Sequence, residues 1–148
     1  MSHRYLLDTN VVSELMRPQP NQKVLEWFTR HMDASMYTSS ITQAETLTGI
    51  ALLPAGKRRA AHAQAAEEMF NQDFTDRCLP FDAAAAIRYA AILAERTREG
   101  RSFTTEDAQI AAIALASGMV VVTRNAKDFE NIQDLILDDP WQSSTASP

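Results

Sequence analysis

Ser117-Gly118-Met119-Val120-Val121-Val122-Thr123 is the stretch whose reading decides the fold. A continuous β-branched run with no polar alternation belongs to a strand buried on both faces, as in a parallel sheet. Ser117-Gly118 reads as the stop of a preceding helix, Ile110 to Ala116, because glycine takes the left-handed turn at a helix end without a Cβ penalty. Working outward, the same alternation of short apolar segments and longer helices recurs. Arg4-Tyr5-Leu6-Leu7 is a short buried strand that ends at Asp8-Thr9-Asn10. A helix from Val11 to Arg17 follows, stopped by Pro18 and Pro20. Asn21 caps the next helix, with Val24, Leu25 and Phe28 on one face, and Ser35-Met36-Tyr37-Thr38 is a second strand. Thr42 is expected to start a helix running through Leu47 and Ile50 to Ala51. Lys57 to Phe74 is alanine-rich and helical, and Cys78-Leu79-Pro80-Phe81 is briefly extended. Asp82 caps a helix that carries Tyr89 and Leu93 and ends near Gly100; Thr104 or Thr105 opens another. Leu135-Ile136-Leu137 is the last expected strand. This order predicts an α/β fold with a central, mainly parallel sheet flanked by helices. It reads as one domain over residues 1–142, with 143–148 as a flexible tail.

The composition narrows the function. The chain has 148 residues, 45% of them hydrophobic and 22% charged, which suits one folded core. Its longest apolar runs are too short to cross a bilayer, and Met1-Ser2-His3-Arg4 lacks the apolar run of a secretory signal. A single cysteine, Cys78, with no CxxC or HExxH, speaks against disulfides and structural zinc and for a reduced, cytoplasmic setting. With four glycines and neither GxxxxGK[ST] nor GxGxxG, a phosphate-cradling nucleotide fold is not expected. The 14 basic and 19 acidic side chains leave a net charge of −5, against strong unaided binding to a nucleic-acid backbone. Lys57-Arg58-Arg59, beside His62, is the one basic cluster.

The acids are better placed than the bases. Sites in parallel sheets form beyond the carboxyl ends of strands. Asp8 ends the first strand, Glu45 and Asp107 fall in the first turns of helices, and Asn125 and Asp128 follow Met119–Thr123. Each has a local explanation. Thr42-x-x-Glu45 and Thr104-x-x-Asp107 match a capping pattern, and Asp8 is placed to cap its own helix. Together, carboxylates at one edge would repel each other unless a hard divalent cation, Mg²⁺ or Mn²⁺, relieved them. His3, His31 and His62 show no ligand spacing and suit surface or packing roles. The residues alone thus point to metal-assisted phosphodiester hydrolysis.

Leu6-Leu7-Asp8-Thr9-Asn10-Val11-Val12-Ser13-Glu14-Leu15 resembles the opening motif of PIN-domain proteins, in particular the VapC and FitB toxins of bacterial toxin–antitoxin pairs. Ser40-Ile41-Thr42-Gln43-Ala44-Glu45, Asp107-Ala108-Gln109-Ile110-Ala111-Ala112, Val122-Thr123-Arg124-Asn125-Ala126-Lys127-Asp128-Phe129 and Pro140-Trp141 are similar in the same order, over about residues 4–141. The resemblance implies a PIN-like three-layer fold and a Mg²⁺- or Mn²⁺-dependent endoribonuclease that inhibits translation, often by cutting a structured RNA such as a transfer RNA. It implies Asp8, Glu45 and Asp107 as acidic metal ligands and Asn125 or Asp128 at the fourth position. Thr9 and Thr123 match hydroxyls lining the site, and Glu14 a position where relatives often keep an acid. A small VapB- or FitA-like antitoxin is the implied partner, carrying any operator-DNA binding, and a homodimer is expected. RNA would dock on local cations. Arg124 is the first choice, with a salt bridge to the site's own acids as its ordinary alternative; Lys57, Arg58, Arg59, Arg96 and Arg98 come next. Leu25, Trp27 and Phe28 could serve an interface or the core.

Two competing readings stand beside this one. An aspartyl-type phosphatase also places an Asp after the first strand, but it needs a second acid where this chain has Asn10, and a phosphate-binding lysine that only Lys127 could supply. A PIN-like module without catalysis would act by binding alone, and would lack a carboxylate-dependent Mn²⁺ site.

Overall fold

The computed structural model describes residues 3–142, so the expected tail at 143–148 lies outside the described residues. Its elements run β1 (Arg4–Leu7), α1 (Thr9–Leu15), α2 (Gln22–Arg30), β2 (Ser35–Ser39), α3 (Ser40–Ala51), α4 (Lys57–Glu68), β3 (Cys78–Leu79), α5 (Ala83–Arg98), α6 (Thr105–Ser117), β4 (Val120–Val122) and β5 (Leu137–Asp138). The five strands are parallel throughout and lie in the order β3-β2-β1-β4-β5. The chain winds outward from β1 to β3, then returns to lay β4 on the other side of β1. The crevice beyond β1 and β4 is therefore the point where the winding reverses, the place such sheets offer to ligands.

Alternation along the strands divides the core. Leu6 and Val121 face Ile92 of α5 and Ala111 and Ile113 of α6. Tyr5, Leu7 and Val122 face Val11, Trp27, Phe70 and Phe74 on the opposite side. The result is three layers, with the central strands buried on both faces as the valine run requires. Each fully buried aliphatic side chain contributes roughly 1.5–3 kcal/mol. Gly118 closes α6 at φ 68°, and the Met119 N–H returns to the Ala114 carbonyl at 2.9 Å, turning the chain straight into β4.

Several expectations are corrected in detail. Ser39, not Thr42, caps α3: its hydroxyl accepts from the Thr42 N–H at 3.1 Å, because Ser39-Ser40 already supply a cap upstream. The helix expected to reach Phe74 ends at Glu68 and widens into a π turn over Met69–Asp73, with the Phe74 N–H on the Met69 carbonyl at 2.9 Å. Met69, Phe70 and Phe74 all bury in one core there. The last strand sits at Leu137–Asp138 rather than 135–137, leaving Ile136 largely exposed while its carbonyl still pairs with Val121. Of the expected interface residues, Trp27 belongs to the core. Its ring stacks on His31 at 4.0 Å and meets Tyr5 edge-on at 5.3 Å, and its Nε1–H donates to Asp138 at 3.1 Å. Phe28 packs partly buried on the same core, and only Leu25 lies outward.

Candidate active site

Asp8 lies at the end of β1 in the crevice. Its own N–H donates to the Val122 carbonyl at 2.9 Å, so the β1–β4 ladder fixes its backbone before its side chain is considered. The carboxylate is 4% exposed. One oxygen accepts from the Thr9 N–H at 2.8 Å, where Asp8 caps α1, and the other from the Thr123 hydroxyl at 2.8 Å. Burial outweighs these two bonds and, with the nearby charges of Asp107 and Glu45, pushes the carboxyl up to about 6.

Thr9 and Thr123 organise the rest. The Thr9 hydroxyl donates to Glu45 at 2.6 Å; its proton thus spent, it accepts from the Thr42 hydroxyl at 3.1 Å. Glu45 therefore binds the crevice through its carboxylate, not through the capping role that Thr42-x-x-Glu45 suggested. Thr123 is fully buried and, besides donating to Asp8, accepts the Asn125 N–H at 3.0 Å. What Asn125 places on Thr123 is its backbone.

Asp107 sits in the first turn of α6 with its N–H on the Thr104 hydroxyl at 3.1 Å, the half of the capping pattern that does form. Burial, followed by the charges of Asp128, Glu45 and Glu106, raises its carboxyl against the hydrogen bond of Thr104. Glu45 thus acts on both Asp8 and Asp107, and Asp128 on Asp107. A cavity of about 420 Å³ opens beside Asp107 and Asp128, and is also lined by Phe103, Thr104, Arg101 and Lys127.

Other expected residues are placed differently. Glu14 is buried, but its carboxylate is engaged by Arg17 at 3.2 Å and the Asn21 N–H at 2.7 Å, so it fastens the turn between α1 and α2. Arg124 makes no salt bridge to a site acid among the described residues; its guanidinium lies 5.0 Å over the Trp141 ring, and its N–H donates to Asn10. Arg98 pairs with Glu95 and Arg59 reaches the Leu53 carbonyl. Arg96 is largely buried and forms part of the lining of the cavity beside Asp107 and Asp128. Asn10 is the residue the sequence reading missed as a contributor: its amide spans Asp8 and Thr123, at 3.4 Å each, and accepts the Arg124 N–H at 3.2 Å. Its position, two residues after Asp8 in the first turn of α1, was the available signal.

The donors at this edge are carboxylate, hydroxyl and amide oxygens, with no thiol or imidazole, a set that suits Mg²⁺ or Mn²⁺. Among the described residues, no group of three or more His, Cys, Asp or Glu side chains is gathered closely enough to hold an ion without further ligands.

The chain is similar to the VapC ribonuclease Y4jK of Sinorhizobium fredii, 39% identical over 137 residues that cover 93% of this chain and 97% of that one. It is 38% identical over 136 residues to toxin FitB of Neisseria gonorrhoeae, covering 92% and 97%. A chain in the solved structure of FitAB bound to an IR36 DNA fragment superposes with a TM-score of 0.86 at 36% identity, covering 97% of this chain and 99% of that one. The PIN domain model matches residues 5–135. The chain belongs to the PIN-domain family.

Proposed function

We propose that this protein is a Mg²⁺- or Mn²⁺-dependent endoribonuclease, the toxin of a toxin–antitoxin pair that arrests translation by cutting a structured RNA. The observation that carries this reading is the Asp8 carboxylate, buried in the β1–β4 crevice with Asp107 and Glu45 close enough to raise its pKa. A fold does not gather repelling acids at a switch point for its own stability. The ribonuclease and toxin names of its relatives support the same chemistry.

Asp8, Asp107 and Glu45 would hold the cation, with Asp128 or Asn125 completing the edge. When bound, the metal supplies Lewis acidity toward a phosphate oxygen and lowers the pKa of a coordinated water. The residues of the chain do the rest. Thr123 and the Thr9 N–H fix both oxygens of Asp8, and Thr9 sets the direction of Glu45. Glu45, exposed where Asp8 is not, is placed to accept the proton of an attacking water. Attack in line with the leaving ribose oxygen then cuts the backbone without a covalent enzyme intermediate. Arg124, at the end of β4, offers a cation to the phosphates.

The antitoxin partner is supported by the relatives, and the charge is no objection to it. A chain at net −5 is suited to a basic antitoxin segment, and we assign operator binding to the antitoxin, a reading supported by the solved structure of FitAB bound to a DNA fragment. We place this activity in the cytoplasm, in keeping with the single cysteine.

The test is cleavage of total bacterial RNA by protein stripped of its partner, with Mg²⁺ or Mn²⁺, with chelator, and with Asp8→Asn. Discrete fragments lost with chelator and variant are expected. Absence of both cleavage and Mn²⁺ binding in the folded protein would overturn the reading in favour of a binding module.

A further inference from the structure

Arg96, near the end of α5, is 4% exposed, and no carboxylate is paired with it among the described residues. Its Nη2 donates to two backbone carbonyls, Glu130 at 2.7 Å and Asp128 at 3.3 Å. Its guanidinium lies 4.3 Å over the face of Phe103. The other side of this arrangement is aromatic as well: Phe103 meets Phe129 edge-to-face at 5.9 Å. A buried guanidinium is costly unless its charge is answered, and here carbonyl dipoles and a ring quadrupole answer it.

The residues held by this clamp are neighbours of the site acids in both segments. Phe103 directly precedes Thr104, the cap that places Asp107 in the first turn of α6. Phe129 directly follows Asp128, whose own carbonyl is one of the two that Arg96 holds. The backbone of Arg96 adds a third tie. Its carbonyl accepts the Arg101 N–H at 3.0 Å, across Gly100 at φ 68°, in the left-handed cap that starts the 101–104 loop. One residue thus grips both loops that carry the Asp107 and Asp128 half of the edge.

We infer that Arg96 is a positioning residue, which sets the separation of Asp107 and Asp128 by clamping the 101–104 and 126–130 segments together. Its Nη2 and the face of its guanidinium are engaged inside the fold, while the residue also lines the cavity beside Asp107 and Asp128. This inference rests on the proposed nuclease site for its functional consequence, and on geometry alone for the clamp.

The experiment uses Arg96→Lys, which keeps the charge but loses the planar stack on Phe103 and the paired carbonyl bonds. Phe103→Leu serves as a second variant that leaves the guanidinium in place. In the metal-free protein, backbone amide resonances of residues 103–107 and 126–130 are expected to shift together in Arg96→Lys, while those of Asp8 and Glu45 hold still. Shifts confined to α5 would overturn the clamp, whatever the protein's activity. With Mn²⁺ alone as probe, affinity is expected to fall about tenfold in Arg96→Lys. That loss should largely vanish when Asp128→Asn is already present, since residues acting through one another are not additive. Fully additive losses would overturn the positioning role. If RNA is cleaved, kcat should fall about tenfold with KM within twofold; a rise in KM alone would make Arg96 a substrate contact instead. Wild-type protein that binds no Mn²⁺ would count against the nuclease reading, and the amide shifts would still decide the clamp.

Discussion

Asp8 and Asp107 stand at the same edge of the sheet and are held in opposite ways. Asp8 is positioned by the β1–β4 ladder and by bonds from Thr9 and Thr123, with almost no exposure. Asp107 is half-buried at a helix start, and its loop is tied down by side chains, Arg96 over Phe103 and Phe103 against Phe129. The sheet thus makes one half of the site rigid at an electrostatic cost, while loops make the other half more open and adjustable. Proteins can revise the second half by changing side chains; revising the first means rebuilding strands.

The largest effect on this contrast comes from Asp8→Asn. RNA cleavage is expected to fall at least about a hundredfold, as a charged group acting on the transition state is removed. The metal-free fold should gain stability at the same time. The Asp8 carboxyl is raised from its ordinary 3.8 to about 6, so folding favours its protonated form. That contribution is whole below about pH 4 and is lost as the pH rises through about 6. At pH 8 the ionised carboxylate leaves the fold weaker by about 3 kcal/mol. Thermal melts of wild type and Asp8→Asn should therefore coincide near pH 4 and separate by several degrees at pH 8. A variant that is less stable at every pH would break the argument.

Asp107→Asn should act on the other half, lowering cleavage about tenfold or more and weakening Mn²⁺ binding, with stability changed by less than about 1 kcal/mol. Isothermal titration with Mn²⁺, beside melts at pH 7, separates the two halves. Thr123→Val removes the hydroxyl donated to Asp8 and the acceptor of the Asn125 N–H. We expect a loss of about 1–3 kcal/mol in urea titrations and several-fold slower cleavage. The smallest effect is Arg124→Ala. RNA affinity should fall a few-fold, with the slope of log K against log salt reduced by about one and the rate at saturating RNA unchanged. An unchanged salt slope would leave Arg124 as a stacking partner of Trp141 alone.

The residues legible in the sequence were those whose surroundings are set by the sheet. A valine run behind the helix stop Ser117-Gly118 reads as a buried parallel strand, and Asp8, right after the strand Arg4–Leu7 that pairs with it, lies in the crevice. What escaped depended on partners far along the chain. Glu45 was expected at the site, but not its partner: Thr42-x-x-Glu45 has the spacing of a cap, whereas its carboxylate accepts from Thr9 of α1. Arg96 reads as a surface cation in a polar helix end, because nothing local announces that Phe103 and the Asp128 carbonyl will cover it. Trp27 was open between interface and core until Tyr5 and His31 enclosed it. Glu14 is informative in a further way: a motif position can keep its acid while that acid is engaged in holding a turn.

The pairing of β1 with β4 joins residues 5–7 to residues 120–122, nearly the whole chain apart. On a ribosome the chain emerges in order, so Asp8 leaves the exit long before Thr123, its buried hydroxyl donor. Until that last central strand docks, β1 lacks a neighbour on one side and the crevice has one wall. A nascent or truncated chain ending before residue 120 would carry Asp8, Glu45 and Asp107 without the geometry that unites them. Synthesis itself thereby withholds the assembled edge until nearly the whole polypeptide exists, a built-in delay for a chain whose proposed target is the translation that makes it.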